Sequence, residues 1–256
     1  VGVLCLEDNH PSIVEYYELT EDMLDAVNEN GEPAYNYGVI LNYLFGVKEL
    51  DEIVKAAVEN AKEAAKVSEN QSKKYVALDI GPCGRLLKPY GDFDFEEAVE
   101  LFAETVKLGV KYGADLITIE TMNDSYETKA ALLAAKESCD LPVFVSNAYG
   151  EDGKLLTGAT PRAMIAMLEG LGVDAIGANC SLGPKQLRPI VDKLLKCSSL
   201  PVMLKPNAGL PKIIDGKTVY DINVDEFADE VLSAINSGVR IVGGCCGTTP
   251  EYIRKV

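Results

Sequence analysis

Asp174-Ala-Ile-Gly-Ala-Asn179-Cys180-Ser-Leu-Gly-Pro184 contains the plan of the whole chain in one unit. Asp174 to Ala178 read as a short buried strand. Asn179 and Cys180 end that strand in a glycine-flanked turn, and Gly183-Pro184 starts a helix with a first-turn proline. The same plan returns near the C-terminus in Arg240-Ile-Val-Gly-Gly-Cys245-Cys246-Gly-Thr-Thr-Pro250, where Ile241-Val242 is the strand and two adjacent cysteines occupy the turn.

Outward from these two segments, short β-branched runs alternate with longer amphipathic stretches. The runs are Val1–Leu6, Gly38–Phe45, Tyr75–Ile80, Asp115–Glu120, Pro142–Asn147, Asp174–Cys180, Pro201–Lys205 and Arg240–Gly244. Helical periodicity marks Ile53–Val67, Phe95–Tyr112, Ser125–Ser138, Thr160–Leu171, Pro184–Leu195 and Asn223–Asn236. Asp94 and Thr160 are expected N-caps, and Gly109, Gly113, Gly172 and Gly238 are expected to end helices. Eight strand–helix units at even spacing predict an α/β (β/α)8 TIM barrel in a single domain over residues 1–256, with an open doubly wound sheet as the alternative. Only a turn or two remains for the last helix. No Pro/Ser linker or low-complexity segment interrupts the pattern.

The totals fit this reading. The chain has 256 residues, enough for one large core, with 47% hydrophobic and 25% charged residues. Its formal net charge of −16 argues against nucleic acid or an anionic membrane as partner. No apolar run reaches membrane-spanning length, and the apolar start lacks the basic flank of a signal peptide, so the expected location is cytoplasmic. Seven cysteines, an odd number without small-scaffold spacing, suit a reducing compartment better than a disulfide framework.

A barrel carries its chemistry where strands end. The polar residues at those positions are Asn42, Asp79, Glu120, Ser146, Asn147, Asn179, Cys180, Asn207, Cys245 and Cys246. Even-numbered strands feed the same interior layer, so strands six and eight can aim Cys180, Cys245 and Cys246 at one point. Three thiolates would hold Zn2+ and leave a fourth position for an incoming thiol. Buried free cysteine is the competing reading; it is preferred for Cys5, Cys139 and Cys197, with Cys83 left open. A disulfide between Cys245 and Cys246 would be strained, because adjacent Cα atoms lie about 3.8 Å apart against the usual range of roughly 4.4–6.8 Å. Asn179 and Asn207 either bind polar groups of a substrate or close turns; Ser146 and Asn147 are weaker candidates of the same kind, and Asp79 reads as structural. Thr248 and Thr249 are expected to cap the last helix. His10, the one histidine, stands before Pro11 at an expected helix start, so a Ser-His-Asp triad has no basis here.

Gly177-Ala-Asn-Cys180, Lys205-Pro-Asn-Ala-Gly-Leu-Pro211 and Gly243-Gly-Cys-Cys-Gly-Thr-Thr-Pro250 resemble the signature segments of the homocysteine S-methyltransferase family. Leu78-Asp-Ile-Gly-Pro82, Ile117-Thr-Ile-Glu-Thr121 and Leu155-Leu-Thr-Gly158 fit in order and spacing, from about Tyr75 to the C-terminus. The resemblance implies a (β/α)8 barrel, zinc on Cys180, Cys245 and Cys246, homocysteine as methyl acceptor, methionine as product, and Glu120 on the substrate's amino group. It is strongest to the branch that draws its methyl group from methylcobalamin, recharged by methyltetrahydrofolate. No Asp-x-His-x-x-Gly cobalamin segment is present, so a separate corrinoid protein or domain is the expected carrier.

The resemblance weakens toward the N-terminus. The family opens with an Asp-Gly-Ala-Met-Gly-Thr-like strand whose aspartate and glycine line the homocysteine pocket, and this chain has no such segment. Where relatives read Thr-Asn-Thr-Phe it has Leu41-Asn-Tyr-Leu-Phe45, with Tyr43 and Leu44 in place of hydroxyls. Either the first unit is truncated or remodelled, or the pocket holds something other than homocysteine. Two other readings stay open: a zinc-binding module that holds homocysteine or a corrinoid protein without turnover, and a barrel with a phosphate grip at Gly243–Gly247.

Overall fold

Side chains alternate across a strand, so the two faces of a sheet show different sets of residues. In this computed structural model, which describes residues 2–7, 10–15, 47–68, 72–214 and 217–256, six parallel strands show such sets. In chain order the elements are β1 (Gly2–Glu7), β2 (His10–Glu15), α1 (Val47–Val67), β3 (Ala77–Ile80), α2 (Phe95–Tyr112), β4 (Leu116–Met122), α3 (Ser125–Ser138), β5 (Val143–Asn147) and α4 (Pro161–Gly170). There follow β6 (Ala175–Asn179), α5 (Pro184–Cys197), β7 (Val202–Lys205), β8 (Pro211–Ile214), β9 (Lys217–Tyr220), α6 (Val224–Asn236), β10 (Ile241–Val242) and α7 (Pro250–Lys255).

The six strands pair in the order β10-β7-β6-β5-β4-β3. Leu78, Ile117, Ile119, Val143, Val145, Ile176, Ala178, Val202 and Leu204 form one buried, apolar set. The opposite set, in register, runs through Asp79, Thr118, Phe144, Ser146, Gly177, Asn179, Met203 and Lys205 and becomes polar at the strand ends. This second face is concave. In a flat sheet β4 and β6 would lie about 10 Å apart. Yet the short Asn179 side chain accepts the Thr121 N–H at 2.8 Å across the intervening β5. The sheet is thus a curved parallel half-barrel, and its carboxyl ends converge.

Helix patterning explains the outer layer. On α5, residues Pro184, Leu187, Ile190, Val191 and Leu194 are buried, a single stripe at helical spacing. Thr160 and Asn223 cap α4 and α6 by accepting N–H groups of Ala163 and Glu226. Asp94 makes no such bond, because its carboxylate is taken by Lys88 at 2.9 Å. Gly113 ends α2 in the left-handed region. Gly109, expected to end a helix, lies inside α2, where a Cβ would collide with Leu78 of β3. It is a close-packing glycine, not a stop.

The chain divides into two compact units. Phe45–Leu210 with Asp221–Val256 contains the six-stranded sheet and its helices; the other unit contains β1, β2, β8 and β9. The expected first barrel strand does form, but β1 pairs antiparallel with β2 in a sheet of its own. The reason is length: only Asp8 and Asn9 separate the two runs, and a parallel partner needs a crossover of roughly a dozen residues or more. His10 and Pro11 consequently open β2 and not a helix. β8 and β9 form a second antiparallel pair inserted between β7 and α6, which period-counting did not foresee. The expected second strand, Gly38–Phe45, and with it Asn42, lies outside the described residues. At the other end α7 has 6 residues, the short last helix expected.

Candidate metal centre

Three loops at the carboxyl ends of β6, β7 and β10 are laced together by backbone bonds. Cys180 N–H donates to the Lys205 carbonyl at 3.1 Å, and Asn207 N–H to that of Leu182 at 3.1 Å. Cys245 N–H donates to Pro206 O and Ala208 N–H to Cys246 O, both at 2.9 Å. The segment Lys205–Ala208 therefore holds the two cysteine-bearing turns on either side of it. Asn207, buried, accepts the Cys246 N–H through Oδ1 at 3.0 Å. Thr248, expected as a helix cap, instead donates its hydroxyl to the Cys245 carbonyl at 2.6 Å and closes the turn that Gly247 permits with φ 77°. Thr249 is the N-cap of α7 by position and makes no side-chain cap bond.

This scaffold brings the Sγ atoms of Cys180, Cys245 and Cys246 within 4.8 Å of one another, the one such metal-capable cluster among the described residues. Cys180 Sγ and Cys246 Sγ are 3.8 Å apart. Zinc–sulfur bonds of about 2.3 Å in tetrahedral geometry require S···S edges of about 3.8 Å, so this pair already has the spacing of two ligands on one ion. The electrostatics agree. Contacts with Cys180 and Cys246, and then burial, push the Cys245 thiol far above its ordinary range. Cys245 pulls the Cys180 thiol down, but Cys246 and burial outweigh it and leave it raised. Three thiols this close cannot all ionise without a cation among them. The donor set, its number and its spacing fit a divalent soft-to-borderline metal with one position left for a further ligand.

Backbone strain is concentrated at the same place. Among the described residues, the non-glycine residues with positive φ are Thr121 (61°), near the end of β4, and Cys180 (58°) and Ser181 (56°), just after β6. Such angles cost of order 1–3 kcal/mol each and persist only where the surroundings impose them. Thr121 lies where the β4–β5 register shifts, between Ile119 and Met122. Its imposed partner is Asn179, whose Oδ1 accepts Thr121 N–H and the Ser146 hydroxyl (2.7 Å) while Nδ2 donates to Thr121 Oγ1 (2.7 Å) and approaches Cys245 Sγ at 4.0 Å. Ser181 donates to Tyr149 O at 3.0 Å.

Asn179, Asn207 and Ser146, candidate substrate residues in the sequence, are thus placed as buried supports of the cysteine turns and of β4. Asn147 is also buried: its Nδ2 reaches Met122 O and Thr128 Oγ1, and its Oδ1 has no protein partner. Glu120, on the concave face, is ion-paired with Lys205. Lys205 belongs to the Lys205–Pro211 signature segment, but a lone lysine at a strand end carries no sequence signal of what it faces. Cys139 is half-buried, while Cys197, expected in the core, is exposed because it is the last residue of α5. Cys83 sits in the loop after β3, where its N–H donates to the buried Glu127 at 2.6 Å and burial, then Glu127, pushes its thiol up to about 12.

Fold and site together define a parallel α/β protein of half-barrel curvature carrying a three-thiol metal-binding cluster at the strand carboxyl ends. Comparison with known proteins is more specific: residues 35–256 match the model of the homocysteine S-methyltransferase family, and the chain belongs to that family. Methionine synthase of Mycobacterium leprae (strain TN) is 31% identical over 262 residues, covering 98% of this chain and 21% of its own length. Methionine synthase of Mycobacterium tuberculosis (strain ATCC 25618 / H37Rv) is 30% identical, with 98% and 22% covered. The chain thus spans about a fifth of the length of these curated relatives. Among solved structures, the apo form of the homocysteine methyltransferase MmuM from Escherichia coli superposes with TM-score 0.69 at 23% identity, covering 85% of this chain and 76% of that one. Its metallated form superposes with the same score over 82% and 71%. The likeness to these structures is one of fold. No helix among the described residues is long and apolar enough to cross a membrane.

Proposed function

We propose that this chain is the thiol-activating part of a zinc-dependent S-methyltransferase that converts homocysteine to methionine, and that its six parallel strands belong to a closed (β/α)8 barrel. The observation that carries the reading is the convergence of Cys180, Cys245 and Cys246 within 4.8 Å at the strand ends of a family member. These three residues would hold Zn2+, and the bound ion supplies a Lewis acid that lets a fourth, incoming thiol lose its proton at neutral pH.

The rest of the work falls to the chain's own residues. Asn179 and Asn207 fix the cysteine turns, so little rearrangement accompanies each cycle. Glu120 offers a carboxylate to the ammonium group of the amino acid and so orients its sulfur. The substrate sulfur then attacks the donor's methyl carbon in line. The new S–CH3 bond forms as the methyl–carrier bond breaks, and its electron pair stays with the carrier.

The likeness to methionine synthases supports methylcobalamin, recharged by methyltetrahydrofolate, as the methyl source. The carrier would be a corrinoid protein or domain outside this sequence. Cys83, Cys139, Cys180, Cys197, Cys245 and Cys246 form no disulfide, which fits the cytoplasm as a reducing compartment.

The test is zinc analysis paired with a homocysteine-dependent methylation assay against methylcobalamin, methyltetrahydrofolate and other methyl donors. One zinc per chain, methionine formation, and loss of both in Cys246→Ser are expected. Absence of zinc with unchanged activity in Cys246→Ser contradicts the reading; zinc and homocysteine binding without any turnover favours a carrier module over an enzyme.

A further inference from the structure

The ion pair between Glu120 and Lys205 joins two strands, β4 and β7, that lie three positions apart in the sheet. It spans the concave face across the intervening β5 and β6. Both side chains are largely shielded, with 22% of Glu120 and 18% of Lys205 accessible. The lysine is not an incidental surface cation. Its aliphatic stem fills the space beside Gly243, where a Cβ would come within 3.1 Å of Lys205 Cγ and 3.2 Å of Cδ. Its main-chain carbonyl receives Cys180 N–H, and its register partner on β6 is Asn179. Burial lowers its pKa from the ordinary value, with Asp79 and then Cys245 opposing that shift. A shielded cation and a shielded anion are thus built side by side on the concave face.

We propose that Lys205 is the carboxylate-binding residue for an α-amino-acid thiol: the Glu120–Lys205 pair opens to receive a zwitterion, Glu120 taking the ammonium group and Lys205 the carboxylate. This rests on the thiol-methyltransferase reading above. The exchange is electrostatically balanced. One contact pair is replaced by two, and no uncompensated charge is left in the shielded cleft. A thiol lacking either charged group forces the pair apart without restoring both partners, so the cleft rejects it.

The test is calorimetric binding to the zinc-loaded protein of three thiols: homocysteine, aminopropanethiol, which lacks the carboxylate, and mercaptobutyrate, which lacks the ammonium group. Wild type is expected to bind homocysteine more than tenfold tighter than either analogue. Lys205→Met is expected to weaken homocysteine and mercaptobutyrate by about tenfold or more while leaving aminopropanethiol unchanged or tighter, since a charge-assisted bond is lost only where a carboxylate was present. Lys205→Arg restores homocysteine binding in part. Zinc content and far-ultraviolet circular dichroism of each variant report whether the cluster and fold survive. Equal wild-type affinity for homocysteine and aminopropanethiol, or uniform weakening of all three thiols in a zinc-replete Lys205→Met, overturns the proposal while the methyltransferase reading stands. Failure of wild type to bind any thiol overturns both.

Discussion

Asn179 shows how much of this site depends on one amide. It is fully buried and connects β4, β5 and β6 to the cysteine turn through Thr121, Ser146 and the neighbourhood of Cys245. Truncation in Asn179→Ala leaves the Thr121 N–H and the Ser146 hydroxyl without their partner and removes what imposes the positive φ at Thr121. The expected cost is about 1–3 kcal/mol in denaturant unfolding. It should be accompanied by roughly 10–100-fold weaker zinc retention in a chelator competition, the usual penalty for losing support of a metal ligand. Stability lost with zinc affinity unchanged would separate Asn179 from the metal site. Its importance was only half legible in the sequence. Position at a strand end marked it as polar and unusual, but the choice between touching substrate and holding a turn depends on which strands curve toward each other, and no local pattern encodes that.

At the scale of elements, β6 is the strand most exposed to small changes. A Cβ on Gly177 would run into the main-chain carbonyl of Met203 on β7, so the two strands approach more closely there than any side chain allows. Gly177→Ala is expected to cost about 1–3 kcal/mol by overpacking. Because Cys180 hangs from the end of the same strand, the variant should also release zinc faster on chelation; a Tm equal to wild type would contradict this account of the β6–β7 contact. A second element-level prediction concerns α3, which buries Glu127 in its first turn. Burial, opposed by the bond from Cys83, raises this carboxyl above its ordinary value of 4.5. A raised acid means that the folded state binds more protons than the unfolded one. Stability therefore falls as pH climbs from about 4.5 through the raised value, and the cost is fully present above it. Glu127→Gln keeps an acceptor for the Cys83 N–H and removes the charge, so its Tm should decline less than wild type's between pH 4.5 and 7. Parallel Tm curves for the two proteins would refute that sign. Elements of this kind were the best-read part of the sequence. The β-branched runs and helical stripes from Tyr75 onward fall on the observed strands and helices to within a residue or two, because short apolar runs and long amphipathic helices alternate there. The two antiparallel pairs were missed or misread because their runs are short, close together and lack a long helical period between them.

For the molecule as a whole, the half-barrel β10-β7-β6-β5-β4-β3 is a platform whose converging strand ends hold three sulfurs. The chain spans about a fifth of the length of the related methionine synthases. The cysteine trio was legible in advance because its signal is chemical and repeated: thiols at the ends of two strands, each in a glycine-bearing turn. The Glu120–Lys205 pair was not, since it joins residues 85 positions apart, 205 less 120, that only the curvature of the sheet makes neighbours. The central claim is that these sulfurs form a metal site with room for one more. X-ray absorption at the zinc edge, recorded before and after addition of homocysteine, tests it most directly. The account predicts three sulfur neighbours at about 2.3 Å and one lighter ligand, changing to four sulfurs when the thiol is added. A sulfur count that stays the same on addition, or a protein that takes up no zinc, would contradict it.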